Sequence, residues 1–364
     1  MASAPTPVPP AWEDLLRLPI APPLRFCLGL THHPWAVAQQ AGQNPLPAVE
    51  RTLAVARVAD DAGLDSVWLS EDPEGWDAFA VLGAMAQVTR RIRLGTAVTN
   101  PFLRPPNLLA ASASTLDLLS AGRAFLGLGR GQTEWYGRAL GVATDRPSAR
   151  LAETIELLRA WWTPPFRASS DGAFAVRDWE RTVHPFQPQL PIYLAAAGPR
   201  ALDIAARLAD GVIFNALTSD EFLAETIPQI RATAAAAGRD PGRLAFILRT
   251  VVTVTNDLAA VCEREKTSIA MINALPGMDR LIAGGEFDLP RIMAEVRRHM
   301  RTDEILARGG GFPELRRAGD LVAARAAIPT ALVARLTIAG RLPEVRVRLQ
   351  ALARLGITHV FVAQ

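Results

Sequence analysis

From residue 25 to the end of the chain, short uninterrupted apolar runs alternate with longer stretches in which apolar residues recur every three or four positions. "RFCLGL" (25–30), "SVWLS" (66–70), "IRLGTAVT" (92–99) and "RAFLGLG" (123–129) are the first four runs. Runs of this length without polar alternation predict strands buried on both faces. Between them, "NPLPAVERTLAVARVADDAGL" (44–64), "DAFAVLGAMAQVTR" (77–90) and "PPNLLAASASTLDLLSAG" (105–122) carry helical spacing, with stops at Gly63 and Gly122. Four strand–helix steps thus fit into about a hundred residues.

A further helix at "SARLAETIELLRAWW" (148–162) is followed by "DGAFAVRDWERTVHPFQPQLP" (171–191), whose prolines and alternating residues predict a hairpin or excursion. The rhythm resumes with strands "IYLAAA" (192–197) and "GVIFNA" (211–216) around the helix "PRALDIAARLAD" (199–210). "LAFILRTVVTVT" (244–255) reads as one seventh strand, and "ITHVFVAQ" (357–364), after the helix "LPEVRVRLQALARLG" (342–356), as the eighth. The stretch 258–340 reads as a mostly helical insertion. Eight such units predict a closed α/β fold, the (β/α)8 TIM barrel, as a single domain over 24–364. Residues 1–23, rich in proline and alanine, predict a tail with a short helix at "AWEDLLRL". They lack a basic start leading into a continuous apolar stretch, so neither a signal peptide nor a membrane span is expected.

Composition narrows the chemistry. With 49% apolar residues the chain has ample material for a large core, and 39 basic against 36 acidic residues leave a net charge of only +3. The charges are interspersed, so no nucleic-acid partner is expected. Lys266 is the single lysine, which restricts lysine chemistry to that position. Cys27 and Cys262 form no CxxC pair, and His184, His299 and His359 have no ligand spacing. No metal and no disulfide are expected, and the cysteine usage fits a reducing cytoplasm.

Barrel enzymes carry their function at the C-terminal ends of the strands. That rule selects Thr31, His32 and His33 after the first strand, Ser70, Glu71 and Asp72 after the second, and Asn100 after the third. Arg130 to Gln132 follow the fourth, and Ala196 to Arg200 and Asn215 complete the rim. Of the adjacent acids Glu71 and Asp72, at least one is expected to face the pocket, where desolvation raises a carboxyl pKa toward proton transfer; surface charge and a helix N-cap are the competing roles. His32, if it reaches the pocket, is a natural proton donor or acceptor. The glycines of "AFLGLGRGQ" (124–132) are not a dinucleotide fingerprint, because the run is G-x-G-x-G, follows the fourth strand and is succeeded by no strand bearing the required acid. In "AAAGPR" (195–200), Gly198 allows a tight turn and Pro199 suits a first helical position. The free amides there, with Arg200, predict an anion site.

Residues 92–141, with L-G-T-x-V-T-N-P, then A-x-x-x-x-T-L-D-x-L-S-x-G-R, then L-G-L-G-x-G, resemble the luciferase-like flavin and deazaflavin (F420) oxidoreductase family in order and spacing. "PQLPIYLAAAGPRALDIAARLADGVIF" (188–214) and "IAGRLPEVRVRLQALARLGITHVFV" extend the resemblance over about 25–364, weakest across 258–330. The combination looks closest to the methylenetetrahydromethanopterin reductase-like branch. The resemblance implies a non-prolyl cis peptide at Ala97–Val98 that supports the cofactor ring. It also implies a phosphate grip at Ala196, Ala197, Gly198, Pro199 and Arg200. Gly129 and Gly131 would line the pocket wall with Asn100 at the neighbouring strand end, and Gln132 would stand at the mouth.

Two positions depart from the F420-dependent sugar-phosphate dehydrogenase branch, which has a glutamate where Gln132 stands and an Asp-His pair where Glu71–Asp72 stand. That reaction is therefore not assigned, although Trp76 matches a tryptophan of the branch. The function implied is hydride transfer between F420 and a small-molecule substrate, with Glu71, Asp72, His32 and Gln132 as candidate catalytic residues. An FMN-dependent monooxygenase fed by a separate flavin reductase and a non-catalytic flavin-binding barrel are the alternatives. A flavin or F420 reductase system is the implied partner, and dimers are common in the family.

Overall fold

The computed structural model describes residues 20, 22–215 and 217–363. The tail helix expected at "AWEDLLRL" lies outside the described residues. The eight apolar runs close into one parallel barrel whose strands are β1 (Arg25–Leu30), β2 (Ser66–Leu69), β3 (Arg93–Thr96) and β4 (Ala124–Leu128). An antiparallel hairpin of β5 (Arg167–Asp171) and β6 (Ala175–Glu180) interrupts the sequence before β7 (Ile192–Ala195), β8 (Gly211–Phe214) and β9 (Ala245–Thr250). Next come β10 (Val252–Val254) and β11 (Ile338–Gly340), which pair outside the barrel, and β12 (His359–Ala363), which closes it on β1 with His359 opposite Arg25. Around the barrel the order is β1, β2, β3, β4, β7, β8, β9, β12.

One predicted strand proves to be two. "LAFILRTVVTVT" leaves the barrel after Thr250, and β10 turns aside to pair with β11. The run of β-formers hides this break because it is apolar and branched on both sides of it, and only the partner strand near residue 338 reveals where the chain departs. This pairing clips the two ends of the 258–340 stretch together. Three helices escape the sequence reading: His33–Gln40, Thr133–Leu140 and Asp220–Ala236. The first two are a bare eight residues each and carry too few apolar positions to show a period.

Inside the barrel, alternation along each strand sends every second side chain inward. Cys27, Trp68, Phe125, Tyr193, Ile213, Ile247 and Phe361 form one buried layer. The Trp68 ring centroid is 4.3 Å from Phe125 and 5.4 Å from Phe361. Space for these rings comes from missing side chains, since a Cβ on Gly29 would lie 1.9 Å from Phe361 and one on Gly95 2.4 Å from Phe125. The layer is a solid floor. Below it, Arg93 lies over the Phe125 ring at 5.3 Å and hydrogen-bonds the Tyr193 hydroxyl at 3.2 Å. Two residues further along, toward the C-terminal ends of the strands, the inward positions are Gly29, Ser70, Ala97, Gly127, Ala195, Asn215 and Arg249. These small and polar residues form the layer beneath the C-terminal mouth of the barrel.

The helices between β10 and β11 build a second core from residues such as Cys262, Ile269, Met293, Met300, Ile305 and Leu332. Its edge reaches the mouth. Phe312 meets Trp135 edge-on at 5.8 Å, and Arg138 on the helix after β4 pairs with Glu314 at 3.2 Å. No helix among the described residues is long and apolar enough to cross a membrane.

Candidate active site

The mouth of the chamber is built from the loops after β1 to β4 and β7 to β9. After β3, the peptide bond between Ala97 and Val98 is cis, at the position the family resemblance indicates. Thr99 rejoins the ladder, its N–H donating to the Gly127 carbonyl at 3.0 Å while its own carbonyl accepts from Gly129 N–H at 2.9 Å. The Gly129 backbone is pinned there, and a Cβ on it would lie 2.6 Å from Val98 Cγ2.

That contact corrects the expectation that Gly129 and Gly131 open the wall to a ligand. Val98 fills the space beside Gly129. Tyr136 fills the space beside Gly131, whose φ of +67° also places it in the left-handed region that favours glycine. Gly129 therefore bears on a ligand only through the position it allows Val98. Gly129→Ala is expected to cost about 1–3 kcal/mol in urea unfolding, and adding Val98→Ala should recover most of it. Additive losses in the double variant would contradict the packing account.

Asn100 is buried, and its side-chain oxygen accepts from Phe102 and Leu103 N–H at 3.0 and 3.1 Å, so it fixes the loop after the cis bond. Its amide group lies near the buried Tyr136, whose phenol is pushed up by burial and by the Asp72 charge and so stays protonated. The sequence reading did not select Tyr136.

The acid pair after β2 divides. Glu71 is 4% exposed and grips Arg104, with Nη2 at 2.7 Å and Nε at 3.0 Å from Oε1. Arg104 also reaches Asp77 at 2.7 Å. A carboxylate engaged in this way has a structural task, not the proton-transfer role expected of it. Asp72 turns to the chamber. Burial raises its pKa from 3.8 to about 6, the Glu71 charge adds to the rise, and Arg249 and Ser70 oppose it.

His32 caps the helix His33–Gln40 and stands with Nδ1 3.9 Å from Asp72 Oδ2, beyond hydrogen-bond reach. Its pKa is lowered by burial, so the ring is neutral at neutral pH. His32 Nδ1, Thr99 Oγ1 and Gln132 Oε1 are buried and have no hydrogen-bond partner among the described residues. These unpartnered atoms lie on the loops after β1, β3 and β4, at the C-terminal end of the barrel, where a polar ligand would satisfy them.

After β7, the helix Pro199–Leu208 starts at Gly198, with no side-chain cap. Its first intrahelical bond runs from Leu202 N–H to the Gly198 carbonyl at 3.0 Å, so the amides of Arg200 and Ala201 precede the ladder. Gly198 has φ −86° and ψ 157°, a conformation open to any residue, which corrects the expectation of a tight turn. A Cβ there would meet nothing within 4 Å. Neither backbone nor packing asks for glycine at this position. What a side chain would obstruct is the approach to the free amides.

The structure thus gathers Asp72, His32, Gln132, Asn100, Ala97 and Val98 around the mouth, with Ala196, Ala197, Gly198, Pro199 and Arg200 on the β7 side. Arg249, on the inner face of β9, also belongs to the chamber and was missed in the sequence reading. Among the described residues no group of three metal-ligating side chains occurs.

Residues 26–359 match the luciferase-like monooxygenase family. A 5,10-methylenetetrahydromethanopterin reductase of Methanolobus tindarius is 30% identical over 63% of this chain and 69% of its own length. An F420-dependent glucose-6-phosphate dehydrogenase of Kineococcus radiotolerans is 32% identical over 57% of this chain and 65% of its own. The chain therefore spans about two thirds of the length of these curated relatives. Among solved structures, the coenzyme F420-dependent tetrahydromethanopterin reductase from Methanopyrus kandleri superposes with a TM-score of 0.72 over 94% of this chain and 93% of that one, at 21% identity. That likeness shows the barrel fold.

Proposed function

Because the chain belongs to the luciferase-like monooxygenase family, we propose that it is an F420-dependent oxidoreductase that moves a hydride between the deazaflavin and a small organic substrate. The observation that carries the reading is the helix start at Gly198, where the amides of Arg200 and Ala201 precede the ladder and no side chain stands before them. The named activities of the relatives from Methanolobus and Kineococcus support the choice of chemistry and of F420.

The residues present fit such a cofactor. Amides at a helix start, with Arg200 beside them, suit a phosphate. Ala97 and Val98 present a small apolar surface to a planar ring, and the orphaned atoms of Thr99 and Gln132 offer polar contacts at its edge. F420 bound there supplies hydride transfer without productive oxygen activation.

The protein's own part is to hold the reactants together and to manage a proton. The aromatic floor and the edge of the second core limit water to the mouth. Asp72, with its pKa near 6, exchanges a proton close to neutral pH, where a general acid or base is most effective. His32, neutral and with Nδ1 3.9 Å from Asp72 Oδ2, would exchange a proton with it only through a bridging water or ligand group. Incubating the protein with F420 and a panel of alcohols, aldehydes and reduced pterins, while following the deazaflavin absorbance, tests the reading. Bleaching or recovery with one class supports it. Binding of F420 with no turnover on any class would favour a non-catalytic barrel.

The Asp72 assignment has its own check, independent of substrate. A carboxyl whose folded pKa lies above its unfolded value binds its proton more tightly when folded, so its contribution to stability is lost as pH rises from about 4 through 6. Asp72→Asn does not titrate. Its urea stability relative to wild type is expected to improve across that window and to level off above it. A difference independent of pH would place Asp72 outside the desolvated chamber.

A further inference from the structure

Arg249 has a charge that the rest of the protein does not answer. Its place follows from alternation along β9, where Ile247 lies fully buried in the aromatic floor and Arg249, two residues on, occupies the next layer of the same inner face. Among the described residues its guanidinium makes one hydrogen bond, from Nη1 to Asn215 Oδ1 at 3.1 Å, and no ion pair. Burial disfavours the charge, while Asp72 from the β2 side and Glu265 from the second core favour it from a distance. Arg249 is half-buried, and an arginine drawn out of water is ordinarily held in a bidentate pair with a carboxylate, because five donors and a full charge are costly to desolvate. Here the remaining donors are left for a ligand.

The barrel order fixes the direction. β9 and β3 are four strands apart by either route, so Arg249 faces the Ala97–Val98 peptide across the mouth. A ring held against that peptide would leave the Arg249 side of the mouth for a second occupant. The occupant of the Arg249 side is then the substrate. We propose that Arg249, held in orientation by Asn215, is a carboxylate subsite, and that the substrate is a small organic acid whose apolar part rests on the aromatic floor. The assignment to substrate rests on the cofactor reading above. One guanidinium without a second cation beside it balances a single negative charge. A phosphate dianion would be left half-compensated between Asp72 and Glu265.

The subsite also bears on the proton. Asp72 is faced by Glu71, Ser70 and Glu74 on its own loop, by His32 from the β1 side, by Tyr136 on the helix after β4 and by Arg249 across the barrel. A carboxylate bound to Arg249 cancels the cation that holds Asp72 down. Asp72 therefore takes up a proton as the acid binds.

The test uses propanoate and its neutral isostere propanamide as probes, in ligand-observed NMR and calorimetry on the full chain, with and without F420. Wild type is expected to prefer propanoate by at least about tenfold, and Arg249→Gln to lose that preference. Arg249→Gln should bind F420 within about threefold of wild type, read by fluorescence. No preference in wild type, or one that survives in a folded Arg249→Gln, overturns the proposal. Loss of F420 binding in that variant overturns it too, by giving Arg249 to the cofactor. Should Arg249→Gln fail to fold, Arg249→Lys keeps the charge without the fork and is expected to bind propanoate about five- to twentyfold more weakly. Unchanged affinity there counts against the subsite. In wild type at about pH 6.5, calorimetry in two buffers of different ionisation enthalpy should show net proton uptake on binding, and its absence contradicts the coupling. A wild-type protein that shows the carboxylate preference but binds no F420 keeps the subsite and removes the cofactor reading.

Discussion

Gly198→Leu is expected to weaken F420 binding by at least about a hundredfold while leaving the thermal midpoint within about 2 °C of wild type. The two halves of this result come from different observations. The fold has no use for glycine here, because the backbone at φ −86° and ψ 157° suits any residue and a Cβ meets nothing within 4 Å. Replacing glycine even removes some freedom from the unfolded chain, a gain of about 0.5 kcal/mol. On the proposed reading, a bound phosphate requires the gap. A branched side chain at Gly198 stands before the amides of Arg200 and Ala201, and losing two charge-assisted hydrogen bonds removes about 3 kcal/mol or more. Fluorescence titration and a thermal melt on the same preparation read both halves. Gly198→Ala should fall between the two. Full-strength binding by Gly198→Leu would move the phosphate site elsewhere on the rim.

Arg104→Met is expected to be the most destabilising single change near the mouth. Glu71 and Arg104 are both largely buried, the side chains being 5% and 13% exposed, and Arg104 links Glu71 to Asp77. Asp77 in turn caps the helix Ala78–Val88 through the N–H groups of Phe79 and Ala80. Removing the guanidinium leaves Glu71 charged and unpaired in a desolvated place, which costs about 3–5 kcal/mol. Met preserves much of the packing over the Phe79 ring, from which the guanidinium carbon is 4.8 Å. The loss should therefore be electrostatic. Urea unfolding of Arg104→Met, Glu71→Gln and the double variant checks this. The double variant should recover a large share of the loss, whereas additive losses would mean that the two side chains contribute separately.

The barrel was legible because its signal is redundant. Eight apolar runs with helices between them survive several misjudged boundaries, and the misreading of "LAFILRTVVTVT" did not change the strand order. The loop after β7 was equally legible as to place, since glycine and proline at a strand-to-helix joint mark free amides. Its reason was not legible. Gly198 read as a turn residue, whereas its ordinary dihedral angles and empty surroundings show that neither the backbone nor the packing requires a glycine there.

Side-chain partnerships were the least readable. Glu71 and Asp72 are neighbours in sequence, yet one is claimed by Arg104, thirty-three residues away, and the other faces the chamber. Nothing local separates them. Gly129 and Gly131 likewise looked like gaps in the wall until Val98 and Tyr136 were seen in them. Arg249 could have been found earlier. An arginine in an apolar barrel strand, at the same parity as a core isoleucine, must point into the barrel, and that pattern alone marks it for scrutiny.

The central claim is that this barrel holds a deazaflavin. It is tested most directly by titrating the purified protein with F420 and, separately, with FMN, following cofactor fluorescence, and repeating both titrations on Gly198→Leu. The account predicts saturable F420 binding that the variant abolishes, and much weaker binding of FMN. Binding of FMN with no affinity for F420 would contradict it.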